Sequence, residues 1–228
     1  MLWYKNWLEM RWRTVFIALL FALQMFAVYR NAGNGTGNVV AATGAFGYLW
    51  IIASIMAAGT GIRTQSASLA AVKGLHGSAY FTLSLPVSRA DLFGVRTIMG
   101  VVQMAVIIVL ANCGLWALFP AAQANTTLGD AMGYGLAVFV CCLGFYFFSS
   151  LLAVFLDPTW WLYGGLLAIG VCWWLLRGVQ SAFNVFKALQ ERAPLITHTI
   201  PWPAMFTSLA ISLILFLATL RVIQTREF

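Results

Sequence analysis

Charge is what this sequence has least of. Only 8% of its 228 residues are charged, against about 25% in an average soluble domain. The acidic residues are Glu9, Asp91, Asp130, Asp157, Glu191 and Glu227. Hydrophobic residues make up 62%. A soluble fold of this length has too little interior for them, because even compact domains keep a large exposed fraction. The shortage of charge excludes a soluble globular domain. It points to an all-α integral membrane protein with one membrane domain, residues 1–228.

Other absences exclude chemistry. There are no paired carboxylates, no HExxH and no GxSxG, so no catalytic constellation is visible and the chain does not read as an enzyme. There is no GxxxxGK[ST] phosphate loop; the glycine-rich GNGTGN at 33–38 lacks the lysine and reads as a turn. Cys113, Cys141, Cys142 and Cys172 have neither CxxC nor Cys/His spacing. They read as small buried hydrophobes, not disulfides or metal ligands. The two histidines, His76 and His198, fall on opposite sides of the membrane, so His76 reads as a loop residue and not a base. No metal site or cofactor is expected in this chain.

What is present is a set of long apolar runs. A helix needs roughly 20 apolar residues to cross a bilayer. Six segments meet or approach this, at 14–30, 40–61, 92–119, 130–155, 159–176 and 203–221. Their middles lack ionisable residues, which an ion- or proton-coupled pump needs at depth. The polar side chains at depth are Gln24, Gln103 and Asn112. They read first as helix–helix hydrogen bonders and second as polar points along a pathway.

The net charge of +7 has no basic stripe interleaved with aromatics, so it does not suggest nucleic acid. It reads as topology, since Lys and Arg collect on the cytoplasmic side. With the N-terminus inside, the cytoplasmic set is Lys5, Arg11, Arg13, Arg63, Lys73, Arg89, Arg96, Arg221 and Arg226. The outer set is Arg30, Arg177, Lys187 and Arg192. Both termini are therefore expected inside, in a multi-pass protein of the cell membrane. Residues 1–13 place Trp3, Trp7 and Met10 on one helical face and Lys5, Glu9 and Arg13 on another. That predicts an interfacial helix, and the run shows no signal-peptide pattern. Residues 177–202 form a long external segment. Its SAFNVFKALQERAP predicts one or two short amphipathic helices, with Phe183, Val185, Phe186 and Leu189 against the membrane. Asp157 and Pro158 break the chain between the fourth and fifth spans.

The cytoplasmic segment 62–91 carries the sharpest local pattern. Leu69, Val72, Leu75 and Ala79 recur at roughly helical spacing, and Gly77 ends or bends that helix. Pro86 disfavours helix at Leu85 and forces a corner. Ser88 can cap the next helix, with Asp91 as its acidic partner, and Arg89 stays at the surface.

Gly77-Ser78, then Leu83-Ser84-Leu85-Pro86-Val87-Ser88-Arg89, then Asp91 and Arg96, together with the layout of spans, resemble the membrane (permease) subunit of type-2 ABC exporters. That family includes many bacterial drug, peptide and polysaccharide exporters. The resemblance implies a cytoplasmic coupling helix at about 65–80 that docks on a separate ATP-binding cassette ATPase, which holds the ATP and Mg. The implied contacts are Gln65, Leu69, Val72, Lys73, His76, Tyr80 and Phe81. Pro86, Ser88, Arg89 and Asp91 become a mechanical corner, and a second permease subunit completes a pathway for a hydrophobic or amphipathic substrate. The chain departs from the family in having no acidic residue between Arg63 and Arg89. The alternative is a membrane scaffold or immunity/regulatory protein that transports nothing.

Overall fold

The computed structural model describes residues 7, 11–12, 14–23, 25–26, 49–58, 89–118, 123, 127–156, 158–176, 178–179, 181–190 and 200–225. Every regular element among them is a helix. They are α1 (Thr14–Leu23), α2 (Leu49–Ala58), α3 (Arg89–Leu118), α4 (Leu128–Phe155), α5 (Pro158–Leu176), α6 (Val185–Gln190) and α7 (Trp202–Thr225).

The helix ends follow local chemistry. Thr127 caps α4: its side chain accepts from the Asp130 N–H, and Asp130 accepts from the Thr127 N–H at 2.8 Å. This reciprocal pair satisfies two amides that the helix itself cannot. Leu156 leaves α4 in an extended conformation, and α5 opens on Pro158, where the missing N–H costs nothing. Pro203 sits in the first turn of α7 for the same reason.

The surface is unlike that of a soluble protein. The outer faces are apolar: Ile98, Val102, Val106 and Leu110 on α3, and Phe206, Leu213, Ile214 and Leu217 on α7, are all exposed. The interior is apolar too, with Trp50, Ile55, Met104 and Ile108, but it also holds Ser54, Asn112, Ser149, Ser150, Ser208, Ser212 and Thr219. Lipid tails are as apolar as leucine, so burying leucine gains nothing there. Helices in lipid associate through close packing and hydrogen bonds. Buried hydroxyls without a partner on another helix bond four residues back, as Ser212 does to Ser208 O at 2.6 Å and Thr219 to Leu215 O at 2.7 Å. The central helix is α4. Half of its most apolar stretch is buried, against 28% for α3 and 22% for α7.

Among the described residues three helices, α3, α4 and α7, are long and apolar enough to cross a membrane. The sequence predicts six such spans. The other apolar stretches among the described residues, Thr14–Leu23, Leu49–Ala58 and Leu162–Leu176 within α5, are shorter. The first two pack together through Phe21 and Trp50, whose rings stack at 4.3 Å.

The segment after α5 also differs from expectation. Phe183 is exposed, but Phe186 and Leu189 are buried in the main core. Phe186 packs on Phe145 of α4 with ring centroids 5.3 Å apart. Gly165 of α5 lies beside Leu152 of α4, and the helices run antiparallel, so Leu176 comes level with Cys141. From there α4 continues about 20 Å further to Leu128. The segment therefore folds back against the middle of α4.

Candidate functional site

The contacts with an ATPase implied by the resemblance (Gln65, Leu69, Val72, Lys73, His76, Tyr80 and Phe81), the corner residues Pro86 and Ser88, and Gln24 all lie outside the described residues. Arg89 opens α3 and Asp91 is exposed in its first turn. Asn112 is buried and donates to Ile108 O of its own helix at 2.8 Å. It also lies where a side chain on Gly135 of α4 would come within 3.4 Å, so it marks the α3–α4 crossing. Gln103 is half-buried, and its Nε2 has no hydrogen-bond partner among the described residues. Gln103 and Asn112 are not gathered into one polar cluster; nine residues of α3 separate them, about 13 Å.

Three hydroxyl side chains fasten α4 to its neighbours. The Tyr146 hydroxyl donates to Thr97 O of α3 at 3.2 Å. The ring lies over Gly100, where an added Cβ would overlap the phenol; only glycine lets the helices meet this closely. Ser149 Oγ donates to Ile55 O of α2 at 3.2 Å. Ser208 Oγ of α7 donates to Val140 O and Cys141 O at 2.9 and 3.0 Å, beside Gly144. Each bond places a hydroxyl on a carbonyl that already serves its own helix, so neither group is left bare in a waterless interior. Sequence reasoning missed all three. The available signal was small and hydroxyl residues four apart within apolar runs, such as Ser208 and Ser212.

The segment after α5 is fastened by one side chain. Asn184 is buried. Its Nδ2 donates to Leu176 O at 2.9 Å and Val179 O at 3.1 Å. Its Oδ1 accepts from the N–H groups of Phe186 at 3.1 Å and Lys187 at 3.4 Å. Asn184 thus closes the end of α5 and starts α6 at once.

These contacts enclose a cavity of about 410 Å³ between α4, α5 and α7. Its floor is Cys141, Gly144, Phe145 and Phe148 of α4. Ile169, Cys172 and Leu176 line it from α5, and Thr207, Ser208, Ile211 and Leu215 from α7. Val179, Phe183 and Phe186 line it from the segment after α5. The polar atoms at its wall are already engaged. Thr207 Oγ1 donates to Pro203 O at 2.9 Å, Ser181 Oγ accepts from Phe183 N, and Ser208 and Asn184 are bonded as above. Cys172 is an exposed thiol at the mouth, while Cys141 and Cys142 are buried. The cavity surface is mainly apolar, and the titratable groups in its lining are the thiols of Cys141 and Cys172.

No protein-family model matches the chain, and no curated protein or solved structure matches it.

Proposed function

We propose that this chain is the permease subunit of an ATP-driven exporter in the cell membrane. Six segments, 14–30, 40–61, 92–119, 130–155, 159–176 and 203–221, cross the bilayer, with both termini inside. The observation that carries the reading is α3. It begins at Arg89, directly after the sequence Leu-Pro-Val-Ser, and runs unbroken for 30 residues, about 45 Å. Its ionisable residues, Arg89, Asp91 and Arg96, are confined to the first turns. Beyond them Tyr146 fastens it to the central helix. A push at the cytoplasmic end of so stiff a rod is carried to α4 and to the cavity behind it.

On this reading a separate ATPase docks on residues 65–80, holds the ATP and Mg, and drives the motion. A second permease subunit, identical or related, completes the pathway. The apolar interior favours a hydrophobic or amphipathic substrate.

The test is purification of the tagged chain from its own membranes in mild detergent, followed by mass spectrometry. A stoichiometric ATPase with a phosphate-binding loop is expected. It should be lost when Tyr80→Asp and Phe81→Asp are introduced together, while the protein still elutes as a single folded species. Recovery of the intact chain without any ATPase removes the engine and leaves the non-transporting scaffold.

A further inference from the structure

The cavity between α5 and α7 has a shape that the exporter reading does not require. Both helices pack on α4, yet they do not pack closely on each other, and the space between them is the cavity. Its mouth is made of the exposed residues Cys172, Leu176, Val179, Phe183 and Ile211. They continue the outer apolar faces of the two helices, where Leu167, Val171, Leu213 and Ile214 are also exposed. The opening therefore faces the side of the bundle and the hydrocarbon around it. The floor is buried or half-buried.

We infer that this cleft is a binding site for one acyl chain of a membrane lipid, entering sideways from the bilayer between α5 and α7. Three observations choose that occupant. The wall is apolar and its few polar atoms are satisfied internally, so a headgroup gains nothing inside and stays out. An empty void of this size forfeits the dispersion contacts of every atom lining it, and the solvent at its mouth is hydrocarbon. The volume, about 410 Å³, suits a slender ligand. Phe145, Phe148 and Phe186 form the deep contact surface. The site stands whether or not the chain exports anything.

The experiment uses the full chain in vesicles of phosphatidylethanolamine and phosphatidylglycerol. A trace of phosphatidylethanolamine carries a diazirine midway along one acyl chain. After illumination, adducts are mapped by peptide mass spectrometry. Adducts are expected on Phe145, Phe148 or Phe186, as well as on exposed residues such as Ile214. Ile211→Trp fills the mouth and should lower the deep adducts about fivefold, because it builds a clash against the ligand. It should leave those at Ile214 unchanged, and Leu217→Trp on the outer face should change neither. If Ile211→Trp does not fold, Cys172→Trp makes the same obstruction from α5. Labelling confined to exposed residues overturns the proposal. So does a Cys172–Cys172 disulfide between copies formed under mild oxidant with the deep residues unlabelled, since a second copy then covers the cleft.

Discussion

A phenol on α4 rests where α3 has no side chain. Tyr146 is fully buried over Gly100, and its hydroxyl reaches Thr97 O. The two halves of this contact differ in energy. Tyr146→Phe removes one hydrogen bond and keeps the ring, so it should cost about 1 kcal/mol. Gly100→Leu forces the helices apart, and the detergent-solubilised protein should lose its monodisperse elution peak. Thermal unfolding followed by fluorescence-detected size exclusion separates the outcomes. Equal losses from both changes would mean that the hydroxyl, not the close approach, holds the pair. Asn184 gives a second prediction at this scale. Asn184→Ala leaves the carbonyls of Leu176 and Val179 without that donor. The segment beyond α5 should then exchange its amide hydrogens faster, with α4 and α7 unchanged. Neither residue stood out in the sequence. A tyrosine or asparagine among apolar neighbours does not announce which backbone carbonyl it will meet.

Helix boundaries were the most legible elements. The segments expected at 92–119, 130–155, 159–176 and 203–221 correspond to Arg89–Leu118, Leu128–Phe155, Pro158–Leu176 and Trp202–Thr225. Proline and capping residues act within a turn, so their effect can be read without knowing the fold. The start of α4 was placed slightly late because the Thr127–Asp130 cap went unrecognised. Thr127→Ala should lower stability by about 1 kcal/mol, measurable in the same melting assay. The facing of α6 could not be read. Its apolar residues were assigned to lipid, yet Phe186 and Leu189 face protein. In water an apolar stripe points to the core. In a membrane both surroundings are apolar, and the stripe no longer says which way a helix turns.

At the scale of the whole molecule, the described helices pack through apolar, small and hydroxyl residues inside and are apolar outside. Composition alone revealed that class, because so little charge leaves no other solvent. The sequence predicts six crossings, and among the described residues three helices are long and apolar enough to make one. The cleft between α5 and α7 left no trace in the sequence. A gap arises from how three helices diverge, which no single run encodes.

One asymmetry, the difference in helix length, has a further effect. α5 runs for 19 residues, about 28 Å, close to the roughly 30 Å of a bilayer's hydrocarbon core. α3 runs for 30 residues and α4 for 28, about 45 and 42 Å. Helices of that length tilt or reach past the hydrocarbon. A thicker bilayer is therefore taken up by α3 and α4 changing their tilt, while α5 has no length to spare.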